Sequence, residues 1–559
     1  MPIASRVGHL ESKKLLDEAN EIVNTKDSAQ SALAIKKILT RKRRVKPQIT
    51  LEKITEYFST QFWTDSKEEE QLTFPSLVTQ SEVEIARTKL KNNKATGPDS
   101  VTGEDIKNED PETLTKKLND LIMSKDSSLT EGFLCPIEKP GKDASRPESY
   151  RPVILLSAYR KLLSLIVLQR INPIIDASLS DTQFAYRRNR STGDIVLSHK
   201  YMVAGALSKK FNKVCAGIDM SKAFDNVLRG KLMDILRKRG VQEGEIGLIN
   251  LLLSNTTMKV KMGKQIGAIF KTNKGVPQGD GLSPRLFTVY LDEALREIDN
   301  KCISDHDSYS AKGTATILHG HDYQKNTSPA LPGHMEYADD VDFLCDSKEE
   351  AEEVVKIAKE ILSTYNLCVN DEKTELFEYH KETDLRKIKK LGTILDEGAE
   401  ISRRKHLAQF AMSKYRRIWK NNYINTKTKM KIYNIYVRSI LLYNCSTWSS
   451  NKTIAKSLDS FHRKQLRSCL NNHYPNLISS KRLYEVTNES PISDHIKRSR
   501  LAHLGHILRR NHPTRNILHH IFTLPSRGRG TANILKTYVA DLESDNYQTW
   551  ITRALAKIL

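Results

Sequence analysis

Three aspartates in two separate segments have the chemistry to hold divalent cations. Asp339 and Asp340 are neighbours in MEYADDVDFLC, where apolar residues on either side predict two short strands with the acids at the bend between them. Asp219 lies near the C-terminal end of VCAGIDM, a run at 214–220 that is apolar enough to be a buried strand. Carboxylates that lie together repel one another unless a cation balances them. Two magnesium ions on such ligands can activate a hydroxyl nucleophile and hold a leaving pyrophosphate.

A glycine-rich loop lies between the two aspartate segments. It begins KGVPQGDGLSP at residue 274, and Ser283 followed by Pro284 predicts that a helix starts there. The predicted buried face of that helix consists of Leu286, Phe287, Tyr290, Leu291, Ala294 and Leu295. A loop at a helix N-terminus can receive anions. A tight turn explains the glycines equally well, and a solvated turn explains an isolated Asp-Asp pair.

The elements around these segments indicate an α+β architecture. Short apolar runs alternate with helical patterns from about 94 to 380. Ser347 and Glu350 predict a capping box at the start of a helix that lies on a sheet. The buried face of this helix is predicted to carry Val354, Val355, Ala358, Ile361 and Leu362. After about 400 the sequence becomes basic and helical, with aromatic residues between the charges.

The pattern divides the chain into four predicted regions. These are a polar helical N-terminal extension at 1–93, a mixed region at 94–380, a helical region at 381–470 and a basic C-terminal extension at 471–559. A basic run at 41–46 fits either a solvated linker or a contact with nucleic acid.

The overall charge points to a polyanionic partner. The 559 residues include 89 Lys and Arg against 67 Asp and Glu, which gives a net charge of +22. Nucleic acid fits this balance, and a membrane does not, because no apolar run reaches the roughly 18 residues that a span needs. The seven cysteines are scattered, which argues against a zinc knuckle or a disulfide framework and favours a reducing, intracellular compartment.

The order of the motifs resembles the reverse transcriptases of non-LTR, LINE-type retrotransposons. YADD at 337–340, GIDMSKAFD from 217 and GVPQGDGLSPRLF from 275 are similar to the palm motifs of that family. The similarity extends from NKATGPDSVTGEDI at 93 to LAHLGHILRR at 501–510. The resemblance implies a right-hand polymerase with fingers, a ferredoxin-like palm and a helical thumb, plus helical N- and C-terminal extensions. It also implies an RNA-directed DNA polymerase.

The resemblance assigns a catalytic role to the three aspartates. It makes Asp219, Asp339 and Asp340 the metal ligands and adds the backbone carbonyl of Met220 as a further ligand. The ion would be Mg²⁺, with Mn²⁺ as an alternative. Phe224 matches the family's steric gate, whose ring collides with a ribose 2′-hydroxyl and so favours DNA synthesis. Without the resemblance, Phe224 is an ordinary core aromatic.

Further positions match the family's substrate-binding residues. Gln278 matches a residue that reaches the sugar of the incoming nucleotide, and Gly279 would let the backbone approach it. Lys139 and Arg151 lie in a fingers-like segment that binds the triphosphate. Lys373 matches a lysine that either protonates the leaving pyrophosphate or neutralises it.

Three other features are less direct in their implication. Leu391 and Gly392 resemble the primer-grip turn of the family. For Asp225 and Asp342 the expected role is structural pairing, because strand alternation or a helix start need not direct them at the metals.

The implied partners are an RNA template, a DNA primer or target DNA, and dNTPs, with no membrane and an open oligomeric state. The alternative is a decayed or maturase-like RNA-binding protein that keeps the fold, whereas Phe224 disfavours an RNA-directed RNA polymerase. About 90 residues before the matching region and about 50 after it do not accommodate the family's usual endonuclease, so a truncated copy is one reading. Nuclear action is expected because the family primes on chromosomal DNA.

Overall fold

A computed structural model describes residues 49–65, 74–207, 213–305, 333–380, 382–449 and 452–508. The basic run at 41–46 and the chain from 509 onward lie outside these residues. The helices are α1 (Leu51–Gln61), α2 (Gln80–Lys89), α3 (Gly103–Asn108), α4 (Pro111–Met123), α5 (Ala158–Ser178), α6 (Thr192–Leu207), α7 (Arg229–Lys238), α8 (Glu243–Leu253), α9 (Ser283–Asp305), α10 (Lys348–Thr364), α11 (Glu397–Lys414), α12 (Arg416–Lys420), α13 (Thr426–Tyr433), α14 (Ser439–Leu441), α15 (Lys452–Cys469), α16 (Ser480–Thr487) and α17 (Ile492–Leu508). The strands are β1 (Glu131–Glu138), β2 (Tyr150–Leu156), β3 (Lys213–Ser221), β4 (Thr256–Met262), β5 (Gln265–Thr272), β6 (His334–Tyr337), β7 (Asp340–Cys345), β8 (Cys368–Val369), β9 (Glu375–Tyr379), β10 (Lys389–Lys390) and β11 (Thr393–Ile394).

An antiparallel sheet, the palm sheet, has β3 near its centre and the order β6-β7-β3-β8, with β9 also paired to β3. The predicted strand at 214–220 is confirmed as β3, and the predicted pair of short strands around the acids is confirmed as β6 and β7.

The two faces of the palm sheet have different neighbours. On β3, Val214, Ala216 and Ile218 belong to the large core formed with the helices, whereas Cys215 belongs to a second core on the other face. Because side chains alternate along a strand, Gly217 and Asp219 share the face of Cys215. The acids of the palm therefore lie on the face away from the main helical core.

A second sheet, the fingers sheet, has the order β2-β1-β4-β5. The first two strands are antiparallel, and β1 and β4 are parallel. Helix α1 packs on this sheet, since Ile54 and Phe58 share a core with Leu134, Tyr150 and Val260. The segment before residue 94 thus contributes to the packing of the fingers sheet.

The predicted helix on the palm sheet is confirmed as α10, with its expected apolar face buried. Its N-terminus differs from the expected capping box. Ser347 accepts a hydrogen bond from the Glu350 N–H, but the Glu350 carboxylate accepts from the Asp346 N–H at 2.8 Å and not from that of Ser347. The carboxylate therefore satisfies a donor one residue further from the helix.

The described chain after Ile394 is helical, as the sequence predicted. Buried aromatic residues such as Tyr433 and Trp448 form a core of their own with apolar residues between Ile401 and Ile496. The mixed sheets and this helical part agree with the expected α+β right-hand polymerase.

None of the helices in the described ranges combines the length and the apolar character needed to cross a membrane. The four-region division of the chain stays a prediction.

Candidate active site

The strand pairing brings Asp219 and Asp340 opposite each other. They are partners in the antiparallel register of β3 and β7, which places their Cα atoms about 4.5–5.5 Å apart. Asp339 belongs to the turn between β6 and β7, where Ala338 has a φ of 59° and Tyr337 pairs with Asp340. Acids from two distant segments of the chain are thus neighbours in space.

The electrostatics of the three acids show that they interact. Burial, together with the charges of Asp339 and Asp219, raises the pKa of Asp340 to about 6. Burial also raises the pKa of Asp339, with Asp219 adding to the effect and Lys373 and Arg151 opposing it. Groups that destabilise one another's charge in this way gain most from a shared cation.

The donor chemistry fits a divalent metal, because hard cations take carboxylate oxygens as ligands. Lys373 supplies a positive charge to the site, with its Nζ 2.6 Å from Asp219 Oδ2. Met220 is buried next to Asp219 and pairs with Val369 of β8.

A different trio has the tightest ligand geometry among the described residues. Potential ligand atoms of His199, Cys215 and Asp342 all lie within 4.8 Å of one another, and the three aspartates do not form such a group. Lys390 Nζ lies 2.5 Å from Asp342 Oδ1, so the protein itself provides a cation at this trio. We therefore assign this trio to the packing of the palm.

A group of cations lies near the acids. Lys139 follows β1 and Arg151 lies on β2, and the two strands pair with Ile137 opposite Arg151. Burial lowers the pKa of Lys139, and the positive charges of Arg151, Lys222 and Lys373 lower it further. Mutual repulsion of this kind indicates a place for a polyanion.

Sequence reasoning missed Lys222 as a member of this group. Its ammonium lies 4.7 Å from the centre of the Tyr57 ring, and its backbone has a left-handed φ of 53°. The only signal was its position three residues after Asp219, just before the turn that carries Phe224.

Phe224 and Gln278 meet at the glycine-rich loop. The Phe224 ring stacks on that of Phe287 in α9, with the ring centres 4.4 Å apart, and the Val276 N–H donates to the Phe224 carbonyl. Gln278 Nε2 donates to Asp225 Oδ1 at 2.9 Å. The loop and the end of β3 therefore hold each other in place.

Asp225 has a second partner from α1. Gln61 Nε2 donates to Asp225 Oδ2 at 2.7 Å. Burial raises the pKa of Asp225 to about 7, which the hydrogen bonds from Gln278 and Gln61 oppose. The expected structural pairing of Asp225 agrees with these contacts.

Gly279 is required by packing within the protein. Its φ is +131°, and a Cβ there would lie 2.5 Å from the Ile154 carbonyl oxygen of β2. The Ile154 N–H also donates to the Gln278 carbonyl at 2.7 Å. The close backbone approach that the sequence suggested is therefore an approach to β2, and an approach to the nucleotide stays a prediction.

Asp342 is paired as expected, but the reason from strand alternation was wrong. Asp340 and Asp342 share a face of β7, because residues two apart on a strand point the same way. Asp342 instead accepts hydrogen bonds from Lys390 at 2.5 Å and makes a contact with His199 Nε2 at 3.0 Å. These partners, from the β10–β11 hairpin and from α6, fix the position of its carboxylate.

The geometry agrees with the comparison to known families. Residues 137–395 match the family model described as reverse transcriptase (RNA-dependent DNA polymerase). The chain carries a reverse transcriptase domain. The domain contains both aspartate segments, the glycine-rich loop and the β10–β11 hairpin.

The relatives of the reverse transcriptase domain are non-LTR retrotransposon proteins, which confirms the LINE-type resemblance. A probable RNA-directed DNA polymerase from transposon BS of Drosophila melanogaster is 32% identical over 28% of this chain and 17% of its own length. The Pol polyprotein of the R2 element of Popillia japonica is 32% identical over 28% of this chain and 22% of its own length. The chain thus aligns with about a fifth of each of these relatives.

A solved structure of apo telomerase from Candida tropicalis is also similar. It has 13% sequence identity and a TM-score of 0.38, with 84% of this chain and 77% of the telomerase covered. The reverse transcriptase assignment rests on the family model and the relatives.

Proposed function

We propose that this chain is an RNA-directed DNA polymerase of a non-LTR retroelement, which extends the 3′-hydroxyl of a primer with dNTPs. The observation that carries the proposal is the pairing of Asp219 with Asp340 beside the Asp339 turn, near a group of cations. In this account the carboxylates of Asp219, Asp339 and Asp340 hold two Mg²⁺ ions, with Mn²⁺ as a substitute, and the Met220 carbonyl is a further ligand. The ions would lower the pKa of the attacking hydroxyl and stabilise the departing pyrophosphate.

The other residues bind and orient the substrates. Lys139 and Arg151, with Lys222, bind the triphosphate, and Arg151 suits a bidentate contact with it. Phe224 lies beneath the sugar and excludes a 2′-hydroxyl, while Gln278 contacts the sugar. Lys373, beside Asp219, neutralises the leaving pyrophosphate or gives it a proton.

The template and the primer would lie along the helical part after Ile394. Its lysines and arginines fit contacts with the phosphate backbone, which carry no sequence information. An element that primes on chromosomal DNA acts in the nucleus, and we propose that location, to be tested by fractionating cells that express a tagged chain.

The direct test of the proposed function is primer extension by the purified protein on poly(rA) annealed to oligo(dT). We expect incorporation of dTTP that requires Mg²⁺ or Mn²⁺ and stops on addition of EDTA. Absence of product with both ions would overturn the proposal. A protein that binds the primer–template yet makes no product would instead match the alternative of a decayed RNA-binding relative.

A further inference from the structure

A buried ion pair joins the β10–β11 hairpin to the catalytic strand β7. Lys390 Nζ lies 2.5 Å from Asp342 Oδ1, and both side chains are nearly enclosed, with exposed fractions of 8% and 11%. Asp342 follows Asp340 by two residues on the same face of β7. Its other oxygen lies 3.0 Å from His199 Nε2 of α6, so the position of the carboxylate is fixed from two directions.

The central strand of the palm is built to admit this pair. Gly217 of β3 is the register partner of Asp342. A Cβ at Gly217 would lie 2.6 Å from Lys390 Nζ and 2.9 Å from Asp342 Oδ1. The glycine in the middle of a buried strand, where it weakens the strand, is thus explained by the space that the ammonium and the carboxylate need.

The same hairpin is held from the other side by the helical part of the chain. Its two-residue turn consists of Leu391 and Gly392, both with positive φ, as the right-handed twist of a hairpin favours. The Tyr443 hydroxyl donates to the Leu391 carbonyl at 3.0 Å, and Arg403 donates to the Gly392 carbonyl at 3.0 Å. Lys390 is therefore the palm-side attachment of a hairpin whose tip is attached to the helices.

We propose that Lys390 and Asp342 are positioning residues, which fix β7 relative to the β10–β11 hairpin and thereby hold the Asp340 carboxylate in place beside Asp219. The inference rests on the proposed polymerase function. A buried ion pair is expensive to desolvate, and well-packed apolar residues often stabilise a fold as well or better. What the pair adds is a short, directional contact between two particular atoms, which sets the distance between the hairpin and β7.

The test is the effect of Lys390→Met on the separate kinetic constants for extension of oligo(dT) on poly(rA). Misplacement of the Asp340 carboxylate by about 1 Å is expected to lower kcat about 10- to 100-fold. The KM for dTTP is expected to stay within about twofold, because the triphosphate-binding cations are untouched. The matched control is Arg239→Met, which breaks a buried ion pair of 2.9 Å between Arg239, the residue after α7, and Asp292 of α9, and should leave kcat unchanged per folded molecule.

Two further variants keep the proposal testable if Lys390→Met folds poorly. Lys390→Met combined with Asp342→Asn leaves no unpaired charge and should still show the kcat loss. Gly217→Ala as a single substitution should lower kcat, because its Cβ would displace the Lys390 ammonium. Combined with Lys390→Met it should lower kcat little further, because that ammonium is already absent. If Lys390→Met and the double variant lose thermal stability while kcat per folded molecule equals that of wild type, the pair only stabilises the fold and the inference is wrong. Inactive wild-type protein would refute the proposed function instead.

Discussion

Asp219 of β3 and Asp340 of β7 are register partners in the palm sheet, although they lie 121 positions apart in the chain. This pairing brings the two acids together on one face of the palm sheet, beside the turn that carries Asp339.

Gly279→Ala should disturb the nucleotide side of the site. The substitution places a Cβ 2.5 Å from the Ile154 carbonyl oxygen in a backbone conformation that only glycine adopts readily. Strain of this kind costs about 1–3 kcal/mol of folding free energy, and we expect the KM for dTTP to rise because Gln278 shifts with the loop. Urea unfolding and steady-state kinetics measure both effects.

Gly281→Ala is the matched control in the same loop. A Cβ there meets no atom within 4 Å, and its φ is not positive. We expect a change in unfolding free energy within about 0.5 kcal/mol and an unchanged KM. Equal effects of the two substitutions would show that the close approach to β2 is unimportant.

Phe224→Ala should relax the discrimination between sugars. The ring stacks on Phe287 at 4.4 Å, so it is held in one orientation beside the end of β3. Its removal opens the space for a 2′-hydroxyl, and the ratio of kcat/KM for UTP to that for dTTP should rise. Phe133→Ala, on β1 of the fingers sheet, should leave the ratio unchanged. An unchanged ratio in Phe224→Ala would remove this residue as the gate.

Asp225 should make the stability of the fold depend on pH. Its pKa is raised by burial to about 7, above the ordinary value of 3.8, so the folded state holds the proton more tightly than the unfolded chain does. The stabilisation is therefore complete below about pH 4 and is lost as the pH rises toward about 7, by up to about 1.4 kcal/mol per pH unit. Asp225→Asn cannot ionise, so its unfolding free energy should fall less between pH 4 and pH 7 than that of wild type.

Denaturant unfolding at several pH values checks the Asp225 prediction. Gln61 Oε1 is buried without a hydrogen-bond partner, so a flip of this amide would let it accept from the side-chain amide that Asp225→Asn introduces. The substitution should therefore leave the fold intact. Parallel pH profiles for wild type and Asp225→Asn would contradict a raised pKa at this position.

Arg151→Ala should weaken the binding of the incoming nucleotide. Its charge contributes to lowering the pKa of Lys139 and acts on Asp339, so it lies near both the cations and the acids. A lost charge-assisted contact with phosphate corresponds to about 1.5–3 kcal/mol, or a rise of about 10- to 100-fold in the KM for dTTP. Lys142→Ala, on the exposed turn after β1, is the control and should leave the KM as in wild type.

The sequence predicted the local elements well because each depends on near neighbours. The apolar run at 214–220 and the strands around Asp339 have the expected form, and so has the helix after Ser347 apart from its N-terminal cap. Contacts between distant segments could not be read from such patterns. Gln61 bonds to Asp225 across 164 positions and Lys390 to Asp342 across 48, and nothing in either local sequence indicates the partner.

Strand alternation was the rule that misled for Asp342. Alternation along β7 places Asp342 on the same face as Asp340, so it does not direct Asp342 away from the metals. The ion pair with Lys390 is what engages the Asp342 carboxylate. Lys222 was overlooked because its proposed role depends on Lys139 and Arg151, two cations that are distant from it in the sequence. The resemblance to a family supplied candidate roles for residues whose neighbours the sequence alone does not reveal.

The central claim is that Asp219, Asp339 and Asp340 act as one metal-binding unit, and single-turnover primer extension tests it most directly. Asp219→Asn and Asp340→Asn should each lower the rate by more than about 100-fold, the loss that even an outer-shell partner of a metal ligand can cause, and the double variant should be little worse than either one. Asp346→Asn, which removes an exposed carboxylate just beyond β7, should extend the primer at the wild-type rate. Extension by folded Asp219→Asn at a rate close to that of Asp346→Asn would contradict the account.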